Sequence, residues 1–199
     1  TLAFRDVPDI TAREGEHLIR IEAVGICGSD MHAYLGHDAR RPAPLILGHE
    51  AAGVVQGGPK DGTRVTVNPL VTCGTCSACT SERENLCPVR QIISMEPRPG
   101  AFAQYVSMPA SNLVEVPDGV PLDKASLAEP LAVSWHAVRL ALASLHPSME
   151  RKALVLGGGA IGLAASLALK AMGIEQVTIV EPNPARCAFL INTCGEAAV

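Results

Sequence analysis

The sequence predicts a mixed fold, in which a small, partly open β-barrel with long loops is followed by an incomplete parallel α/β domain. In the first two thirds, short runs of alternating polar and apolar residues are separated by glycine and proline, which is typical of strands joined by turns. From Pro121 onward, Ala and Leu recur at helical spacing, and strand-like runs then alternate with helix-like runs. That alternation favours a parallel sheet.

The strands of the first part are expected at 17–24, 51–56, 64–68 and 102–108. Pro130 should break or start a helix. We place the domain boundary so that the two domains comprise residues 1–133 and 134–199.

The second part predicts alternating strands and helices. The expected elements are a strand at 153–156, a glycine turn, a helix at 160–172 stopped by Gly173, and a strand at 177–180. Asn183 and Pro184 suit the N-cap and first residue of another helix. A third strand would start at 197–199, so the expected six-stranded dinucleotide fold is incomplete in this chain.

The net charge, the apolar runs and the N-terminus argue against several classes of protein. Lys plus Arg number 16 and Asp plus Glu number 20, so the net charge is −4, which disfavours a nucleic-acid partner. Residues 153–169 carry no charge and contain a G-x-x-x-G at 158–162, yet they fit strand, turn and helix better than a membrane span. The N-terminus shows no signal-peptide pattern, so we expect a cytoplasmic protein without a membrane partner. Because the chain begins with Thr1 and not with methionine, we expect it either to have been trimmed or to begin inside a longer one.

Four of the seven cysteines, Cys73, Cys76, Cys79 and Cys87, follow the spacing C-x2-C-x2-C-x7-C. Four thiolates in one short loop match the all-sulfur tetrahedral site of a structural zinc. An iron–sulfur site is the main alternative because Pro88 follows the last cysteine, although the final gap is longer than in ferredoxins. Disulfides are a further alternative.

A second group of candidate metal ligands is dispersed along the chain: Cys27 in GICGSDMH, His49 and Glu50 in GHE, and Glu129 in EPLAV. A catalytic zinc needs about three protein ligands of mixed type and one open position. None of these residues is diagnostic alone, but as a set in this order they are far more specific.

Six motifs together carry a family resemblance. They are GICGSDMH (25–32), GHEAAG (48–53), CGTCSACTSERENLC (73–87), GAFAQYV (100–106), EPLAVSWHAV (129–138) and LGGGAIG (156–162). In this order, and over nearly the whole chain, the sequence resembles the zinc-dependent medium-chain dehydrogenases, the alcohol and polyol dehydrogenase superfamily. The resemblance implies a GroES-like barrel as catalytic domain, an incomplete Rossmann domain, one catalytic zinc and one structural zinc.

The resemblance also implies roles for individual residues. Cys27 and His49 would be catalytic zinc ligands, and Glu50 would bind the metal directly or lie just behind it. Glu129 stands where many alcohol dehydrogenases of that superfamily have a third ligand, a cysteine. A glutamate there resembles the polyol branch and would bind zinc directly or through water. Asp30 would orient one of the ligands.

The turn at 157–162 satisfies G-x-G-x-x-G between a predicted strand and a predicted helix, so Gly157, Gly159, Ile161 and Gly162 are expected to contact a dinucleotide. Glu181 follows Gly162 by 19 residues, which suits a carboxylate that binds the ribose hydroxyls and favours NAD over NADP. Arg186 keeps NADP open, because an arginine there could pair with a phosphate.

The resulting hypothesis is hydride transfer between an alcohol, polyol or sugar acid and NAD(P). Zinc would act as a Lewis acid on the substrate oxygen. Ser29 would accept the released proton and His32 would pass it towards solvent, unless His32 is an ordinary loop histidine. The family resemblance implies a homo-oligomer for the full-length protein. Two alternatives are a zinc- and dinucleotide-binding fragment without turnover and a zinc-ribbon interaction module.

Overall fold

The structure is a computed structural model that describes residues 2–146 and 148–199. The chain divides into two compact units; the first ends at Glu129 and the second runs from Pro130 to Val199. The strands of the described residues are β1 (Glu16–Gly25), β2 (Glu50–Gln56), β3 (Arg64–Val67), β4 (Leu70–Val71), β5 (Gln91–Ile92), β6 (Tyr105–Pro109), β7 (Leu113–Glu115), β8 (Lys152–Leu156) and β9 (Gln176–Val180). The helices are α1 (Gly28–Tyr34), α2 (Ser77–Thr80), α3 (Leu122–Ala125), α4 (Ala128–Ala143), α5 (Ala160–Ala171) and α6 (Pro184–Asn192).

The first unit is built on a five-stranded sheet in the order β6-β1-β2-β3-β7, and all its neighbouring strands are antiparallel. Its inward side chains form one apolar core that includes Ile19, Val55, Val65 and Met108. All four are fully buried, so each contributes about 1.5–3 kcal/mol of hydrophobic stabilisation. β4 and β5 form a separate two-stranded sheet beside the cysteine loop.

The strand expected at 102–108 begins three residues late, at Tyr105. The backbone N–H groups of residues 100–102 instead donate to the carbonyls of Ile46, Leu47 and Gly48. This irregular pairing holds residues 46–48, which lead into β2, against residues 100–102. The other three strands expected in the first unit are present within one residue of their predicted ends.

In the second unit, β8 and β9 pair in parallel and α5 connects them. Val138, Leu169, Ile174 and Val177 form the core of this unit. Pro130 lies in the first turn of α4, where its missing N–H costs nothing. In the described part of the chain, no helix combines the length and apolarity that crossing a bilayer would need.

Both helix-end predictions of the second unit are confirmed. The side chain of Asn183 accepts a hydrogen bond from the Arg186 N–H at the start of α6. Gly173 follows α5 with a φ of 86°, the left-handed conformation that glycine adopts without strain. The third strand also begins as expected, because Ala198 forms a parallel bridge with Ile179.

Candidate metal centres and dinucleotide site

Cys27 lies at the junction between β1 and α1, in the N-cap position of the helix. The carboxylate of Asp30 accepts a hydrogen bond from the Cys27 backbone N–H at 3.0 Å. A second hydrogen bond reaches the same carboxylate from the Gly48 N–H at 3.2 Å. Asp30 therefore joins the segment that carries Cys27 to the segment that carries His49.

His49 and Glu50 enter β2 directly after Gly48, whose φ of 93° turns the chain into the strand. A side chain at Gly48 would collide with the ring of Phe102. Glu50 is paired with Gly25 at the end of β1. Because β1 and β2 are neighbours in the sheet, the residue that follows His49 comes close to Cys27.

One ligand atom from each of Cys27, His49 and Glu50 can be chosen so that all three lie within 4.8 Å of one another. Donors around one tetrahedral zinc are about 3.5 Å apart, so small adjustments would place all three on one ion. His49 and Glu50 are buried and Cys27 is half-buried. The thiol, imidazole and carboxylate are the donor types of catalytic zinc sites, and this arrangement therefore fits the metal that the sequence predicts.

The imidazole of His49 is held in a negatively charged environment. Its Nδ1 lies 3.6 Å from the Asp30 carboxylate. Burial lowers the pKa of His49, but the neighbouring Asp30 carboxylate and Cys27 thiol outweigh burial and raise the pKa to about 9. The site therefore attracts positive charge, whether a proton or a metal ion.

Glu129 lies near this cluster but is not one of the three residues with mutually close ligand atoms. It is half-buried at the start of α4. Burial raises the pKa of Glu129; the charge of His49 opposes this shift and that of Glu50 adds to it. Its role as a metal ligand, direct or through water, stays a prediction.

Ser29 and His32 lie three residues apart on α1, and so on the same face of the helix. The Ser29 Oγ is buried and has no hydrogen-bond partner within the described residues. A buried hydroxyl without a partner is uncommon and suits a group that meets a ligand. His32 is exposed.

The four-cysteine loop brings its sulfurs into one cluster. Sulfur–sulfur distances are 3.5 Å for Cys76–Cys79, 3.7 Å for Cys73–Cys87 and 3.9 Å for Cys73–Cys79. Four thiolates around one zinc lie about 3.8 Å apart, since each Zn–S bond is about 2.3 Å. A disulfide requires about 2.05 Å, and the cysteines are free thiols. The cluster thus fits a single tetrahedral ion, whereas cysteines bound to different irons of a multi-iron cluster would lie farther apart.

Acidity differs between thiols within this loop. Hydrogen bonds from the backbone N–H groups of Thr75 and Cys76 lower the pKa of Cys73 to about 6. Burial and the Cys76 side chain raise the pKa of Cys79 to about 11. A bound cation would remove this difference by favouring the thiolate at every position.

The glycine turn of the second unit connects β8 to α5. Gly157 has a φ of 94° and donates to the Val180 carbonyl at 2.8 Å. A side chain at Gly162 would overlap the Gly157 carbonyl, whereas Gly159 faces open space at the N-cap of α5. The half-exposed Ile161 follows in the first turn of α5. The turn is therefore closely packed between Gly157 and Gly162 and open at Gly159. An anion that binds to the free N–H groups of the helix N-terminus requires this open side.

Glu181 follows β9 and faces this turn. Its buried carboxylate accepts hydrogen bonds from the Gly158 and Asn183 N–H groups, both at 2.8 Å, and pairs with Arg186 at 2.9 Å. These donors lower the pKa of Glu181, with the Asn183 N–H first among them. The acid is ionised and adjacent to the glycine turn, and its binding of a ribose stays a prediction.

Sequence reasoning missed two buried residues beside His49. The Ser94 Oγ lies 3.4 Å from the His49 Nδ1, and Arg41 donates to the Ser94 carbonyl at 3.1 Å. Neither residue belongs to a motif or a periodic pattern. No local signal could have found them, because Arg41 lies among prolines and charged residues in a segment where an arginine would ordinarily be exposed.

A curled antiparallel sheet that carries a candidate mixed-ligand metal centre and a four-cysteine loop, followed by a strand–glycine turn–helix unit, is typical of zinc- and dinucleotide-dependent proteins. Residues 13–118 match the model of the alcohol dehydrogenase GroES-like domain. The chain belongs to this family. That match and the partial parallel sheet confirm the predicted fold class.

Two curated relatives are each 40% identical: the L-galactonate-5-dehydrogenase of Escherichia coli K12 over 179 residues and the sorbitol dehydrogenase of Bacillus subtilis over 189 residues. The alignments cover 87% and 90% of this chain but 51% and 52% of those proteins, so the chain spans about half the length of these relatives.

Solved structures agree with the fold. A zinc-binding dehydrogenase of Sinorhizobium meliloti 1021 bound to NADP superimposes with a TM-score of 0.85 at 29% identity, covering 98% of this chain and 57% of that one. A short chain alcohol dehydrogenase of E. coli CFT073 complexed with NADH gives 0.84 at 29% identity, with the same coverage of 98% and 57%.

Proposed function

We propose that this chain provides the catalytic domain, and the start of the dinucleotide-binding domain, of a zinc-dependent oxidoreductase. The reaction is hydride transfer between a CH–OH group of an alcohol or polyol and NAD(P). The observation that carries the proposal is the convergence of Cys27, His49 and Glu50 within 4.8 Å of one another, from the two sides of the β1–β2 pair. Zinc supplies Lewis acidity towards the substrate oxygen and the nicotinamide supplies the hydride acceptor.

The residues around the candidate metal centre have separate proposed roles. Cys27 and His49 would bind the ion, and Glu50 would complete the ligand set or lie just behind it. Glu129 adds a carboxylate close to His49 and Glu50, with a raised pKa that burial favours.

Proton removal is assigned to Ser29 and His32. The unpartnered Oγ of Ser29 is free to accept a hydrogen bond from the substrate hydroxyl. Ser29 would release its own hydroxyl proton as it takes up that of the substrate. His32, which is exposed on α1, would receive the released proton by way of a ribose hydroxyl of the cofactor and pass it to solvent. This order places the buried group at the substrate and the exposed group at the exit.

Gly157, Gly159, Ile161 and Gly162 are assigned to the pyrophosphate, whose charge the N-terminus of α5 would stabilise. Glu181 would bind the adenosine ribose and repel a 2′-phosphate, which favours NAD. The pairing of Arg186 with Glu181 supports this preference, because the arginine is then engaged within the protein. Related structures with NADH and with NADP support the wider cofactor class.

The substrate class follows from the relatives. Sorbitol and L-galactonate are both polyhydroxylated carbon chains, and the enzymes named for them are each 40% identical to this chain. We therefore assign a polyol or sugar acid as substrate. The second candidate function, a zinc- and dinucleotide-binding fragment without turnover, is favoured by the 51% coverage of the first of these relatives.

The test is NAD⁺ reduction by the complete gene product that contains this chain, with a panel of polyols and sugar acids and with or without a zinc chelator. Chelator-sensitive oxidation of at least one polyol is the expected result. Two bound zinc ions per chain together with no turnover on any alcohol would support the fragment instead. Oxidation that survives complete removal of zinc would contradict the proposed mechanism.

A further inference from the structure

Ser94 is a fully buried residue that faces the ring of His49. Its backbone is in the left-handed region, with a φ of 66°, which non-glycine residues adopt uncommonly. We propose that Ser94 is a positioning residue for His49, and that the buried Arg41 holds Ser94 in place. This inference rests on the proposed function, because it concerns the same metal centre.

A histidine that binds metal through Nε2 has one proton on Nδ1, and the acceptor of that proton sets the orientation of the ring. Two oxygens compete for it here: the Ser94 Oγ at 3.4 Å and the Asp30 Oδ1 at 3.6 Å. Asp30 is also engaged elsewhere, because its two oxygens accept the N–H groups of Cys27 and Gly48. Asp30 is the charged acceptor of the two, and the Ser94 hydroxyl is a second contact to the same Nδ1, with no other side-chain hydrogen bond in the described residues.

Arg41 fixes Ser94 from the opposite side. Its Nε donates to the Ser94 carbonyl at 3.1 Å, while its Nη1 pairs with the Asp38 carboxylate at 2.7 Å. The Arg41 side chain is 4% exposed, so this contact is shielded from water. Arg41 anchors the peptide whose left-handed conformation directs the hydroxyl towards the ring.

The neighbouring Arg40 supplies a matched control. It pairs with the same carboxylate, at 2.9 Å from the Asp38 Oδ1, but its side chain is 71% exposed. Its contacts to Asp38 use its own backbone N–H and side chain, and no contact of Arg40 with Ser94 is present in the described residues. Loss of Arg40 should therefore leave His49 undisturbed.

A purely structural role for Ser94 makes a different prediction from a positioning role. Ser94→Gly removes the hydroxyl and relieves the left-handed backbone, whereas Ser94→Ala removes the hydroxyl alone. If only the backbone matters, Ser94→Gly behaves as the parent does. If the hydroxyl orients His49, both variants change the metal centre in the same way.

The experiment is cadmium NMR of the chain loaded with cadmium. The Cys27–His49–Glu50 centre and the four-sulfur centre give separate signals because sulfur and nitrogen or oxygen donors shift cadmium differently. We expect the mixed-ligand signal to move in Ser94→Ala, Ser94→Gly and Arg41→Gln, with about a 10-fold loss of cadmium affinity at that centre. Arg40→Gln should leave both signals in place. The four-sulfur signal serves as the internal check that each variant is folded, and Arg41→Lys replaces Arg41→Gln if that check fails.

The outcomes separate this inference from the function it rests on. Two signals in the parent, with the mixed-ligand signal unchanged in both Ser94 variants, would overturn the positioning role alone. A mixed-ligand signal that moves in Ser94→Ala but stays in place in Ser94→Gly would also overturn the positioning role, in favour of a role for the backbone conformation. A parent chain with only the four-sulfur signal would overturn the mixed-ligand centre, and with it both proposals.

Discussion

The carboxylate of Glu50 occupies the space that a side chain on Gly25 would need. A Cβ atom built on Gly25 would overlap one Glu50 carboxylate oxygen and lie 3.0 Å from the Glu50 Cβ. The two residues are register partners on β1 and β2. The absence of a side chain at Gly25 therefore determines where the third member of the candidate metal centre can lie.

Gly25→Ala should displace the Glu50 carboxylate and weaken metal binding at the mixed-ligand centre about 10-fold. Chelator competition, followed site by site, measures this affinity. Gly28→Ala is the matched control, because a Cβ there meets nothing within 4 Å. Equal affinities in the two variants would show that the Gly25–Glu50 contact does not position the ligand.

Cys27→Ser and Cys76→Ser should separate the two metal centres. Cys27→Ser is expected to lose one zinc of two and all polyol oxidation, with little change in unfolding free energy. Cys76→Ser is expected to lose the other zinc and about 3 kcal/mol or more of stability, because binding of a structural zinc contributes directly to the folding free energy. Zinc content, turnover and denaturant melts measure the three effects. Full activity in Cys27→Ser would refute its catalytic assignment.

The buried ion pair between Glu16 and Arg98 should make the first unit sensitive to acid. The carboxylate lies 2.8 Å from the Arg98 guanidinium and 2.6 Å from the Ser107 hydroxyl. Burial raises the pKa of Glu16, but these partners outweigh burial and place its pKa below the ordinary 4.5. Its stabilising contribution is therefore present above pH 4.5 and is lost as the pH falls through the folded-state pKa.

Glu16→Gln should therefore cost about 3 kcal/mol at neutral pH, because Arg98 is left buried without a charged partner. The difference from the parent should narrow in acid below pH 4.5. Glu115→Gln is the control, since that carboxylate is 67% exposed and pairs weakly with Lys60 at 3.4 Å. Urea melts across this pH range measure the effect; a difference that grows in acid would contradict it.

Two substitutions in the glycine turn should separate folding from dinucleotide binding. Gly162→Ala forces a Cβ against the Gly157 carbonyl and should cost about 1–3 kcal/mol without any cofactor. Gly159→Ser meets open space and supplies a good N-cap to α5, so stability should not fall. Dinucleotide affinity should fall in both variants. Unchanged NAD affinity in Gly159→Ser would remove that residue from the proposed cofactor site.

The parts of the fold that the sequence predicted are those that local chemistry determines. Asn183 caps α6 and Gly173 ends α5 because their side-chain and backbone preferences act within a few residues. Cys27 is distant in sequence from His49 and Glu50, and the three are assigned to one centre because their motifs, in this order, resemble those of a known family. The structure brings these three together, while the ligand role of Glu129 is still a prediction.

Other features depend on contacts between distant segments and left no local pattern. The late start of β6 reflects the pairing of residues 100–102 with residues 46–48. Ser94 lies 45 residues from His49 in sequence, and a serine with a left-handed backbone is not distinguishable from one in an exposed turn. Arg41 would be expected at the surface from its type alone. Long-range burial, which no short window records, decides all three.

The bulge in β1 between Ile21 and Ala23 has a consequence for how this protein tolerates changes in length. It shifts the pairing with β2 by one residue just before Gly25 meets Glu50. Because Glu22 has no register partner on β2, deleting it would remove the irregularity and leave Ile19 opposite Val55 and Gly25 opposite Glu50. A deletion between the bulge and Gly25 would instead shift Cys27 relative to Glu50. The loss of one residue can therefore be accommodated at position 22 without disturbing the Gly25–Glu50 pair, so this bulge is where the length of β1 can change independently of the ligand set.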